Sequence, residues 1–142
     1  AAFLFALAGK ETSYGVENIP KYEPAFGPGG LYYQKSKLLK ELYRKYGALV
    51  SCSWSPWQIL AITAIENQHF SGHPAELHNG FIALPFVVGY LNYLVRNGAN
   101  TIESLSACYN AGPGCLKNPR AFPSRYVADF LVFYDSALKM KL

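Results

Sequence analysis

Apolar residues recur at intervals of three and four along most of this chain, and no apolar-polar alternation runs long enough to build more than a minor hairpin. That periodicity is the mark of amphipathic helices, and it predicts an all-α fold. Residues 1–13 read as a helix with Phe3, Leu4, Leu7, Ala8 and Glu11 on one face. Residues 35–46 read as a second, with Leu38, Leu39, Leu42, Tyr43 and Tyr46 inward and charges outward. A third is expected to begin near Pro56, a residue suited to the first helical position, with Ser55 as its cap. Residues 81–97 form a mostly apolar helix that begins near Pro85 and stops at Gly98. Residues 101–109 form another, capped by Asn100 or Thr101. The last, residues 124–140, buries Tyr126, Val127, Phe130, Leu131, Tyr134 and Leu138.

With 142 residues, the simplest organisation is one domain over residues 1–142, long enough to bury roughly two-thirds of its unfolded surface. Hydrophobic residues at 51% against 15% charged exclude general disorder. A net charge of +4 is compatible with an anionic polymer but too weak to argue for nucleic acid. No apolar run reaches the roughly eighteen residues expected of a membrane span. The apolar start, Ala1 to Ala8, lacks a basic region before it and a cleavage site after it, so it reads as a buried helix rather than a signal peptide. The absence of an initiator Met suggests a piece of a longer polypeptide with other domains.

Cys52, Cys108 and Cys115 have no Cys-x-x-Cys spacing, and His69, His73 and His78 lie in a polar connection without helical pairing. Neither a metal site nor a cofactor is expected. Cys108 and Cys115 bracket a Gly-Pro-Gly turn, either bridged across it or left as buried thiols.

Glu11 is the first candidate for chemistry. It falls on or beside the buried stripe, near a helix C-terminus. Burial and the negative end of a helix dipole both raise a carboxyl pKa, and a carboxyl that stays protonated near neutral pH suits a general acid. The plain alternative is a surface carboxylate paired with Lys10 or Lys21. Gln58, placed in a first helical turn, offers two donors and an acceptor to the acetamido and hydroxyl groups of an amino sugar. Residues 14–31, rich in Pro, Gly and Tyr, exclude a long helix and read as an ordered loop wrapping the site.

Four patches then stand in order: Glu11-Thr12-Ser13-Tyr14, Ser55-Pro56-Trp57-Gln58-Ile59, Tyr109-Asn110-Ala111-Gly112-Pro113-Gly114 and Tyr126-Val127. Together they resemble the catalytic domain of the soluble lytic transglycosylases and goose-type lysozymes, across nearly the whole chain. The style of the second patch and of the loop is most similar to members found in phage and prophage tails. Thr12 stands where the family has Ser and keeps its hydroxyl, while Ser55 and Trp57 replace a Gly and a Met.

The resemblance implies a lysozyme-like fold with an extended glycan-binding cleft and peptidoglycan strands as the partner. The place of action would be the periplasm, the cell envelope or a virion tail. It implies catalytic roles for Glu11, as the single acid, and for Tyr109, which orients it. Gln58, Asn110, Tyr126, Trp57 and Tyr14 would bind substrate or shape the site, with Tyr126 packed behind Glu11 and Trp57 and Tyr14 stacking on sugars. A retaining glycosidase ordinarily uses two carboxylates about 5 Å apart. In this family the substrate's own N-acetyl group takes the place of the second, giving a 1,6-anhydro-muramyl product. A hydrolytic muramidase and a non-catalytic glycan-binding module are the alternative outcomes of the same resemblance. Glu17, Glu23 and Glu66 are further acids by position only.

Overall fold

The computed structural model describes residues 1–140. Among them helical residues amount to 69%, with one small antiparallel sheet, so a predominantly helical fold is borne out. The helices are α1 (Ala2–Thr12), α2 (Leu31–Lys35), α3 (Lys37–Tyr46), α4 (Ala61–Gln68), α5 (Gly80–Arg96), α6 (Ile102–Ala111) and α7 (Ser124–Lys139). Strands β1 (Lys21–Tyr22), β2 (Cys52–Trp54) and β3 (Ile59–Leu60) pair in that order. No helix among the described residues is long and apolar enough to cross a membrane. Two compact units are formed, one by Ala1–Glu17 with the chain from Val88 onward, the other by Asn18–Val87.

The first unit is helical. Phe3 of α1 meets Phe130 of α7 with ring centroids 4.8 Å apart, and Phe130 is fully buried. Close approach requires Gly9: a Cβ there would lie 2.6 Å from Phe133 Cδ1 and 2.7 Å from Tyr14 Cε1. A second core joins Leu94, Ala99, Ala107, Cys108, Cys115 and Val127. Thr101, rather than Asn100, caps α6, accepting from the Ser104 N–H at 3.1 Å while Ser104 Oγ accepts from the Thr101 N–H at 2.9 Å. That helix runs past Tyr109 to Ala111, so Asn110 sits in its last turn and Gly112, at φ 76°, makes the exit.

The second unit departs from the sequence reading at three places. The helix expected over 35–46 breaks at Ser36, whose hydroxyl accepts from the Leu39 N–H and starts α3 afresh. The helix expected at Pro56 is a hairpin instead. Ser53 pairs with Leu60 and Trp54 with Ile59, and the Gln58 N–H closes the connecting turn on the Ser55 carbonyl at 3.0 Å. A proline φ suits the second position of a turn as well as the start of a helix, and α4 begins only at Ala61. Thirdly, α5 begins at Gly80, so Pro85 lies inside it. Asn79 Oδ1 accepts from the Phe81 N–H and sets that earlier start. Gly98, at φ 101°, follows the end of α5 as expected.

The loop over 14–31 is ordered and broken up, with β1 on β2 and a 3-10 turn at Pro24–Phe26. Leu39, Val50 and Ile62 form this unit's core, ringed by Phe26, Tyr33, Tyr43 and Tyr46.

Candidate active site

In the first unit, α1 delivers Glu11 one residue before its own end. The stop is made by Thr12, fully buried, whose hydroxyl donates to the Ala8 carbonyl at 3.1 Å and accepts from the Gly15 N–H at 3.0 Å. Ser13 and Tyr14 then take left-handed backbone at φ 49° and 61°, a conformation costly without glycine. The Thr12 hydroxyl therefore ties down the turn next to Glu11.

Tyr126, in the first turn of α7, donates its hydroxyl to Glu11 Oε1 at 2.5 Å. The resemblance implies Tyr126 behind Glu11 and Tyr109 beside it. In the structure Tyr126 is a direct hydrogen-bond partner, and Tyr109 lies within electrostatic reach of the same carboxylate. Burial first, then the charge of Glu11, raises both phenols above their ordinary value of 10.0. Tyr109 packs against Tyr90 with centroids 5.7 Å apart, which fixes its ring. Both tyrosines consequently remain protonated donors across the neutral range.

The two lysines considered as partners of Glu11 bond other acids. Lys10 Nζ bonds Asp129 Oδ2 at 3.1 Å, and Lys21 bonds Glu23 at 3.1 Å. Lys10 also stands over the Tyr126 ring, 5.4 Å from its centroid. Neither Lys10 nor Asp129 was legible as a site residue, although Tyr126 and Asp129 share a helical face at i, i+3.

Tyr14 is 44% exposed, yet one side of its ring is taken by Phe5 at 4.6 Å and its edge by Phe133 at 5.8 Å. Any sugar stacking must use what remains. Asn110 is exposed on α6. Cys108 and Cys115 are free thiols with sulfurs 3.7 Å apart, and burial with the neighbouring thiol pushes Cys108 up to about 12.

Gln58 and Trp57 belong to the second unit. The Gln58 amide is engaged inside the hairpin: Oε1 accepts from Ser53 Oγ at 2.8 Å, and Nε2 donates to the carbonyls of Ser55 at 3.1 Å and Ile19 at 3.3 Å. At φ 50° it holds the turn rather than opening a helix. Trp57 is half-buried, its ring 3.6 Å from where a Cβ on Gly80 would sit. Two of the histidines take part in the local fold. His73 Nδ1 accepts from the Ala75 N–H in a capping box with Glu76, and His69 ends α4 in left-handed backbone. No cluster of metal-ligating side chains occurs among the described residues.

One carboxyl bonded by one tyrosine and flanked by another, each on a different helix and each partly buried, is an arrangement that can give and take a proton. No family model matches the chain, and neither the characterised proteins nor the solved structures compared with it give a match.

Proposed function

We propose that the chain is the catalytic domain of a peptidoglycan lytic transglycosylase of lysozyme-like fold. It cuts the β-1,4 bond between N-acetylmuramic acid and N-acetylglucosamine, at the cell envelope or from a phage tail. The observation that carries this reading is the meeting of residues 11, 109 and 126. Two of the four patches that resemble the family supply tyrosines to the carboxyl of a third, far away in sequence. The predominantly helical architecture is also in keeping with a lysozyme-like fold.

In this mechanism Glu11 protonates the glycosidic oxygen as the bond to the anomeric carbon breaks. The substrate's acetamido oxygen attacks that carbon from the other side, giving a cyclic intermediate. Glu11, now a carboxylate, takes the proton of the muramyl 6-hydroxyl, whose oxygen displaces the acetamido group and closes the 1,6-anhydro ring. Glu11 ends protonated, as it began. The Tyr126 hydroxyl holds the carboxyl in one orientation and stabilises the carboxylate between the two steps, and Tyr109 adds a second oriented dipole.

The test is mass spectrometry of muropeptides released from purified peptidoglycan by the chain and by Glu11→Gln. Anhydro-muramyl ends that vanish with Glu11→Gln are expected, the loss being about 10²- to 10⁴-fold. Reducing ends with the same dependence would replace transglycosylation by lysozyme-type hydrolysis. Unchanged release by Glu11→Gln would overturn the mechanism, and binding without release from any wall type would favour a glycan-binding module.

A further inference from the structure

Outside the acid and its tyrosines, the least expected cluster is the one formed by Lys10 and Asp129. Lys10 immediately precedes Glu11 on α1, and Asp129 follows Tyr126 by three residues on α7. The two helices are therefore joined twice side by side, Glu11 to Tyr126 and Lys10 to Asp129. As an ion pair the second link contributes little stability, because the Asp129 side chain is 50% exposed and the Lys10 side chain 23%. Its geometry is more informative. The Lys10 ammonium, tethered by Asp129, stands 5.4 Å from the centroid of the Tyr126 ring, inside the range of cation–π attraction. A cation over the ring face fixes the ring plane. It also draws electron density from the phenol, making the hydroxyl a stronger donor.

We propose that Lys10 and Asp129 are positioning residues that act on Glu11 through Tyr126. Asp129 holds the lysine, the lysine holds and polarises the ring, and the ring presents its hydroxyl to the acid. This rests on the reading of Glu11 as the catalytic acid, but the contact itself is measurable without turnover.

The first experiment is proton NMR of the whole chain, following the Tyr126 hydroxyl resonance, assigned by its loss in Tyr126→Phe. In Lys10→Met it should move upfield or exchange faster, and in Lys10→Arg, which keeps the cation, it should largely return. An unmoved resonance in folded Lys10→Met overturns the inference, whatever the activity. Should Lys10→Met fail to fold, Asp129→Asn is read in its place, with a smaller shift in the same direction.

The second experiment is a kinetic cycle on peptidoglycan. Lys10→Met should lower kcat about 3- to 10-fold with KM unchanged, and the same change made in Tyr126→Phe should have no further effect. Multiplicative losses would mean that Lys10 acts independently of Tyr126 and would overturn the relay. A wild-type chain that cleaves no wall while its hydroxyl resonance responds to Lys10 would sink the proposed function and leave the positioning contact standing.

Discussion

The two units use polar side chains in opposite ways. In the first, Glu11 and Tyr126 are 115 positions apart and meet only because α1 and α7 pack. In the second, two of the three bonds made by the Gln58 amide reach residues five or fewer positions away, in its own hairpin. A long-range pair depends on interhelical spacing, and a local clamp depends on turn geometry. Each should therefore break under a different substitution.

The largest effect should come from the spacing. Gly9→Ala inserts a methyl where Phe133 and Tyr14 leave no room. Overpacking outweighs the gain in helix propensity, for a net loss of about 1–2 kcal/mol. Chemical denaturation should read that loss, and under the proposed function turnover should fall as well, because the same spacing sets the Glu11–Tyr126 bond. Turnover unchanged at reduced stability would show that the pair adapts to the spacing.

A smaller effect is expected in the other unit. Gln58→Ala removes hydrogen bonds to Ser53, Ser55 and Ile19, and about 1 kcal/mol of stability should go with them. Hydrogen exchange should rise around residues 52–60 while the Tyr126 hydroxyl signal stays in place. A change spread evenly over the chain would contradict a local clamp.

The effect smallest at neutral pH grows only in alkali. Tyr109 and Tyr126 are held above 10.0 in the folded state, so above that pH the unfolded chain loses protons that the folded chain retains. Their contribution is complete below pH 10 and drains away as pH rises towards the folded values, by about 1.4 kcal/mol per pH unit per tyrosine. In Tyr126→Phe the decline should be shallower by one proton, measured from unfolding curves above pH 10. An identical slope would place the ordinary value of 10 back on Tyr126.

The helical pattern at 124–140 and the stop at Gly98 were legible because three- and four-residue spacing and a left-handed glycine are local properties. Pro56 misled because its fixed φ serves a turn and a helix start equally. Only the pairing of Ser53 with Leu60 and Trp54 with Ile59 decides between them. Pro85 differs, since it lies inside a helix that the cap at Asn79 starts earlier.

By itself the sequence determined that this chain is mostly helical and where its helices carry apolar faces; the grouping of Glu11, Tyr109 and Tyr126 rested on the family resemblance. The tertiary structure decided that Tyr126 bonds the acid directly, that Lys10 turns to Asp129, and that the Gln58 amide is engaged in a hairpin. The physical reason is range. Helix periodicity is written within a few residues, whereas the direction of a side chain at the end of a helix depends on how closely another helix can approach, and here a glycine and two aromatic rings set that distance.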